Sequence, residues 1–250
     1  MDLGIDGRVA VVTAASRGLG RASAEALAAE GASVLVSARG EEQLTATARA
    51  MGDAGATVVA VPGDMADPAT PGRLVEAAVE RFGRVDIVVA NAGGPPPGRA
   101  LEVDDDAIRA AVETNLLASI RLARAAIPHM RERAWGRVCC ITSYSVVQPL
   151  PGLALSNIAR TGLWAWAKTA AADLAAERSG VTVNLVCPGP HATDRMRQLA
   201  GSGGGTGDGA PLPMGDPAEF GRVVAFLCSA HAGFVNGAAI VVDGGALLAL

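Results

Sequence analysis

Short runs of apolar, often β-branched residues alternate along the chain with longer alanine-rich stretches in which apolar positions recur every three or four residues. The first pattern predicts strands buried on both faces; the second predicts amphipathic helices. Seven runs qualify as strands: Arg8 to Thr13, Ser33 to Ser37, Thr57 to Val61, Val85 to Ala90, Arg137 to Ser143, Val181 to Cys187 and Ala239 to Val242. Between them, helices are expected over Leu19 to Glu30, Glu41 to Asp53, Pro68 to Phe82, Asp106 to Arg133, Ser156 to Arg178 and Asp216 to Ala230. Regular alternation of the two implies repeated βαβ units, hence an α/β fold with one doubly wound, parallel, seven-stranded sheet and helices on both faces.

Two segments interrupt this rhythm. Gly93 to Gly98 reads GGPPPG, which can form neither helix nor strand interior and must be a loop after the fourth strand. Gly201 to Gly209 reads GSGGGTGDG, with Pro211 and Pro213 beyond it, the composition of a flexible segment. Too little chain follows to build a second domain. The expectation is therefore a single domain over residues 1–250 with a flexible substrate lid near 190–215, since open α/β sheets bind ligands beyond the carboxyl ends of their strands.

Composition narrows the function without naming it. Of 250 residues, 50% are hydrophobic and 18% charged, which suits one globular domain. A net charge of −4 provides no general pull toward nucleic acid or an anionic membrane, and leaves room only for a local cationic pocket that takes a small molecule. Cys139, Cys140, Cys187 and Cys228 show neither CxxC spacing nor a companion histidine cluster, so no metal site is expected and they read as reduced core thiols. The opening MDLGIDGRVAVV has no secretion-signal pattern, and no apolar run approaches the roughly 20 residues of a membrane span, so a cytoplasmic location is expected.

The chemistry begins after the first strand, where Thr13 to Gly20 reads TAASRGLG and leads into a helix. Small residues in such a turn let backbone N–H groups and a helix N-terminus approach a pyrophosphate. Further along come Asn91-Ala92-Gly93 after the fourth strand, Asn115 within a helix, Ser143 at the end of the fifth strand, Pro188-Gly189 after the sixth and Asp243-Gly244-Gly245 near the end. In this order and spacing the chain resembles the short-chain dehydrogenase/reductase family, over essentially its whole length and most closely the 3-oxoacyl-carrier-protein reductases. Thr13 to Gly20 matches the family's TGxxxGxG pattern, except that Ala14 replaces the first glycine.

The resemblance implies a Rossmann-type fold, a bound dinucleotide and a homodimer or homotetramer built through the long helices. It implies dinucleotide contacts from Ser16, Arg17 and Leu19 in the phosphate turn, Arg39 after the second strand, Asp64 and Met65 after the third, Asn91, Ala92 and Gly93, and Pro188 and Gly189. Charge argues for NADP(H): the stretch Ser37-Ala38-Arg39-Gly40 lacks the acid that holds a ribose 2′-hydroxyl, and it offers an arginine to a 2′-phosphate, with Arg17 a second. Asp64 serves equally well as the cap of a local turn.

The catalytic pattern departs from the family. A serine closing the fifth strand is normally joined by a Tyr-x-x-x-Lys on the following helix, and here Ser156 and Arg160 stand in those places within SNIAR. A serine hydroxyl ionises far less readily than a phenol, and an arginine stays protonated at ordinary pH. Lys168, the sole lysine, lies two turns further along and does not restore the motif. His191, after Pro188-Gly189-Pro190, and Tyr144, the sole tyrosine, are the other candidates for the proton, with water the remaining source. Tyr144 would face the pocket only if the fifth strand had already ended before it. Asn115 matches the family asparagine that holds a relay water, while Thr193 and Asp194 either touch the nicotinamide end or cap a lid helix. His129 and His231 read as structural. The expected activity is an atypical NADP(H)-dependent oxidoreductase on a carbonyl or secondary alcohol, with Ser143, Ser156, Arg160, Asn115 and His191 at its centre. The alternatives are a non-redox dehydratase, isomerase or cyclase in the same pocket, and a catalytically silent nucleotide-binding protein.

Overall fold

Successive residues of each strand feed two different cores. In the computed structural model, which describes residues 2–201 and 214–248, the strands are β1 (Val9–Thr13), β2 (Ser33–Ser37), β3 (Val58–Ala60), β4 (Ile87–Ala90), β5 (Gly136–Ile141), β6 (Val181–Pro188) and β7 (Ala239–Val242). They form one parallel sheet in the order β3-β2-β1-β4-β5-β6-β7. Val9, Val11, Val88, Val138, Cys140, Val183 and Leu185 point to one side, where they meet Leu74 of α3 (Thr70–Phe82), Leu122 of α5 (Ala118–Glu132) and Leu163 of α6 (Ala154–Ala176). Ala10, Val12, Val34, Val36, Ile87, Val89, Cys139 and Val186 point to the other, against Leu27 of α1 (Gly18–Ala29), Leu44 of α2 (Glu41–Asp53) and Phe220 of α8 (Pro217–Leu227). A strand buried on both sides has no polar face, which is why the sequence shows continuous apolar runs rather than alternation.

The strand order reverses between β1 and β4, and the crevice opens at the carboxyl ends of these two strands. The opposite rim is locked instead. There the Asp86 carboxylate, fully buried, accepts from the Val9 backbone N–H at 2.9 Å and from Arg84 at 2.7 and 2.6 Å.

Three expectations about the elements change. The single helix expected from Asp106 to Arg133 is α4 (Asp105–Val112), a π-helical turn over Glu113–Leu117, and then α5. The extra residue of the π turn leaves the apolar spacing on either side nearly intact, so periodicity does not reveal it. The fifth strand ends at Ile141 rather than Ser143, because the Ser143 side chain accepts the Ser145 backbone N–H at 3.1 Å and opens a 3₁₀ turn at Tyr144–Val146. The segment expected as a lid begins with a further helix, α7 (Asp194–Gly201), while its glycine-rich part, residues 202–213, lies outside the described residues. The two ends of the excursion are tied together: Ala192 N–H donates to Gly215 O at 2.9 Å, and Gly215 N–H to Pro190 O at 2.9 Å.

Candidate active site

The floor of the crevice is fixed by one hydroxyl. Thr13 Oγ1 donates to Asn91 O at 2.8 Å and accepts from Asn91 N–H at 2.9 Å, so the ends of β1 and β4 are stapled side by side. Asn91 Nδ2 also donates to Ala14 O at 3.3 Å. Gly93 follows in the open, with nothing near the space a side chain would fill.

Next to this floor lies the turn from β1 into α1. Thr47 of α2 donates to Ser16 O at 2.9 Å and holds the turn against its neighbour. Gly20 allows no side chain, since a Cβ there would stand 2.4 Å from Ala14 O. Leu19 packs into the core beneath, and Arg17 occupies the N-cap with extended backbone and no side-chain cap bond. The first turn of α1 carries no acid, so its backbone N–H groups face the crevice uncapped by any carboxylate, the arrangement that receives a phosphate. Arg17 reaches across to Asp194 of α7 at 3.3 Å. Arg197 and Arg17 together hold the Asp194 carboxyl below the usual carboxylate range.

Ala14 has φ +46°, in the left-handed region. An L side chain there costs about 1–2 kcal/mol, and glycine regains most of it, less the extra freedom of the unfolded chain. Ala14→Gly is therefore expected to stabilise the protein by about 0.5–1 kcal/mol, a rise of roughly 2 °C in the thermal midpoint. An unchanged or lowered midpoint in calorimetry would show that the turn carries no such strain.

Beyond β2, Ser37 Oγ is buried without a partner, and Arg39 is exposed with no carboxylate partner among the described residues. Asp64 Oδ1 accepts Ala66 N–H at 3.0 Å and caps its own turn, with Met65 packed against the core.

On the other side of the switch point stand Ser156 and Arg160 of α6. Ser156 and Arg160, one helical turn apart on α6, are each 7% exposed. Nη1 of Arg160 donates to Ile141 O at 3.0 Å and Thr142 O at 2.8 Å, which anchors the guanidinium beneath the end of β5. Burial, and then the charge of Arg195, pushes its pKa down to about 10. Asn115, 3% exposed, sits at the middle of the π turn, which packs on α6. Its Nδ2 donates to Thr114 Oγ1 at 2.9 Å, and its Oδ1 is buried without a partner among the described residues.

A family model described as Enoyl-(Acyl carrier protein) reductase matches residues 13–246. The 3-oxoacyl-acyl-carrier-protein reductase FabG of Escherichia coli (strain K12) is 34% identical over 97% of this chain and 98% of its own. The chain belongs to the short-chain dehydrogenase/reductase family. Among solved structures, L-sorbose reductase of Gluconobacter frateurii, complexed with NADPH and L-sorbose, superimposes with a TM-score of 0.91 at 33% identity over 100% of both chains. A variant of actinorhodin polyketide ketoreductase with NADPH gives 0.89 at 32% identity, over 95% of this chain and 96% of its own.

Within this short-chain reductase frame the remaining candidates separate. Pro188 and Gly189 end β6 against β7: Gly189 N–H donates to Val242 O at 2.9 Å, and a Cβ on Gly189 would meet Asp243 at 2.5 Å. His191 is turned into packing. It is 4% exposed, its Nδ1 lies 3.0 Å from Gly189 O, and its ring meets Phe220 of α8 edge-on at 5.2 Å. That imidazole lies against Gly215 and so ties the two ends of the 192–214 excursion. Tyr144, beyond the end of β5, is buried, and burial followed by the nearby Asp243 charge pushes its pKa up. One residue escaped the sequence reading altogether: Arg195 of α7, whose Nη2 donates to Pro95 O at 2.6 Å in the GGPPPG loop. Nothing in the sequence sets it apart from the other arginines.

Proposed function

We propose that this protein is an NADP(H)-dependent reductase of carbonyl compounds, reversibly a dehydrogenase of secondary alcohols, working with an atypical centre. The observation that carries this reading is the buried, charged Arg160, anchored to the end of β5 one helical turn from Ser156. The crevice suits a dinucleotide: the uncapped start of α1, drawn close to Ala14 and Asn91 at Gly20, the open surface at Gly93, and the buried hydroxyl of Ser37 at the end of β2 lie on one side of the switch point. Ser16, Arg17 and Leu19 would hold the pyrophosphate, Arg39 the 2′-phosphate, Asp64 and Met65 the adenine, and Asn91 to Gly93, Pro188 and Gly189 the nicotinamide half. When bound, NADPH supplies a hydride to the carbonyl carbon.

The chain's own residues do the rest. Ser143 and Ser156 donate hydrogen bonds to the carbonyl oxygen as the π electron pair moves onto it. Arg160 holds the nicotinamide ribose and contributes positive charge where negative charge develops. Asn115 Oδ1 accepts from a water in line with this oxygen, and water delivers the proton that completes the alcohol. Tyr144, pushed toward its protonated form, keeps its proton and packs beside Ser143.

The first test is a fluorescence titration with NADPH and NADH. NADPH is expected to bind at least about 10-fold more tightly, and Arg39→Ala to erase most of that preference, as loss of a charge-assisted bond to phosphate does. Equal affinity for the two, or an unchanged preference in the variant, would remove the 2′-phosphate argument. The redox reading itself falls if deuterium from labelled NADPH enters no ketone in a broad panel; turnover without nicotinamide absorbance change would indicate a dehydratase, isomerase or cyclase instead. The outer faces of α5 and α6, with Ile127, Pro128, Trp166 and Leu174 around a shallow cleft, are proposed as the seam of a homodimer or homotetramer. Light scattering should then show no monomer at micromolar concentration. Among the described residues no helix is long and apolar enough to cross a membrane.

A further inference from the structure

Arg195 and Arg160 lie within reach of one another's charge, and among the described residues neither has a counter-charge. Arg195 donates from Nη2 to Pro95 O, and this draws its guanidinium over Gly94, where a Cβ would stand 2.7 Å from Nε. Glycine at 94 is thus what lets the guanidinium lie on the backbone that continues from Asn91-Ala92-Gly93. Arg160 stands on α6 beneath the end of β5, near enough that the charge of Arg195 acts on it, and among the described residues only its Nη1 is engaged by the protein. The charge of Arg195 disfavours protonation of Arg160, and burial does so for both.

The neighbouring arginines are treated differently. Arg17 and Arg197 share Asp194. Among the described residues no carboxylate pairs with Arg160 or Arg195. A pair of partly desolvated like charges is costly unless an anion arrives between them. The cofactor's phosphates would be met across the switch point by α1, Arg17 and Arg39, so the anion belongs to the other reactant.

We propose that Arg195, backed by Arg160, binds a carboxylate that the substrate carries within a few bonds of its reacting carbonyl. The substrate class is then an oxo acid rather than a neutral ketone or an oxoacyl thioester. The fork of Arg195 matches the planar carboxylate in two hydrogen bonds, which fixes the orientation of the carbonyl toward Ser143 and Ser156. This inference rests on the reductase reading above and specifies its substrate.

The test compares 2-oxobutanoate and 3-oxobutanoate with their methyl esters, at saturating NADPH. For at least one pair the acid is expected to exceed its ester in kcat/KM by about 10- to 100-fold. Arg195→Gln should bring that ratio close to one, and Arg195→Lys, which keeps the charge but not the fork, should recover part of it. An acid-to-ester ratio near one in the parent, or a high ratio unchanged in Arg195→Gln, overturns the assignment. If neither acids nor esters are reduced, the deuterium-transfer panel decides the reductase reading, and calorimetry on the NADPH-saturated protein decides the anion site separately. Malonate should then bind at least about 10-fold more tightly than malonamide, a preference lost in Arg195→Gln. Absent or equal binding of the two overturns the proposal, and a cofactor phosphate as the true ligand would show as weakened NADPH binding in Arg195→Gln with no effect on malonate.

Discussion

Arg160→Met is expected to lower kcat/KM for the protein's carbonyl substrate by about 10²- to 10³-fold while moving the thermal midpoint by no more than about 3 °C. The two parts have separate causes. The variant removes a positive charge where the carbonyl oxygen gains negative charge, which is the contribution a preorganised donor makes to a transition state. It also removes two hydrogen bonds to Ile141 O and Thr142 O, but it relieves the burial of an uncompensated guanidinium, so the changes in stability oppose each other. A large loss of stability alongside the loss of rate would instead make Arg160 a structural brace for β5.

The pH dependence follows from the same residue. With its pKa pushed down to about 10 by burial, Arg160 is charged across the neutral range and discharges as the pH rises past that value. The kcat/KM profile should therefore stay level from about pH 6 to 9 and fall through about 10, because Ser156 does not titrate in that window and burial pushes Tyr144 upward. Arg160→Lys, fitted beside it, should move the alkaline limb. For stability the sign is reversed. The folded-state pKa lies below the unfolded value, so the unfolded chain binds the proton more strongly, and this group's contribution to stability is absent below about pH 10 and grows as the pH climbs toward the unfolded value. An activity profile that falls in the acid range would point to a different titrating group.

Much of this architecture was legible because burial on both faces of the sheet leaves a signal in every strand. Val34, Leu35 and Val36 are apolar because one faces α3 and α5 and two face α1 and α2, so even the boundaries of β2 could be read from the chain. The turn from β1 into α1 was legible for a similar reason: Gly20 leaves no room for a side chain beside Ala14 O, and Asn91 donates to the same oxygen. What escaped was set by tertiary contacts with no local pattern. The burial of His191 against Phe220, 29 residues on, leaves no mark in the sequence around it. The strand end at Ile141 depends on the Ser143 cap, which reads in sequence as one more serine at a strand terminus. Arg195 falls after a turn in a segment without periodicity, and its meaning depends on Pro95 and Gly94, a hundred residues earlier. Function was less legible than fold because Ser156 and Arg160, where the family resemblance leads one to expect Tyr and Lys, name no reaction by themselves.

Restoring the missing acid gives the second large effect. Ser156→Tyr combined with Arg160→Lys is expected to raise kcat on a simple neutral ketone by about 10²-fold, within the range a positioned general acid contributes. Positions 156 and 160 share one face of α6, so a phenol at 156 would have an ammonium one turn below it to hold its pKa down. The gain should appear in kcat with KM little changed, because the substitution adds an interaction that matters only as the oxygen takes up its proton. Ser156→Ala, by contrast, should cost about 10-fold or less, the worth of one neutral hydrogen bond to the oxygen. If the restored pair leaves kcat unchanged while deuterium transfer from NADPH persists, then proton delivery to oxygen does not limit this reaction. In that case the centre has been remodelled around orientation of the acceptor, and the arginines rather than the serines decide which carbonyl reacts.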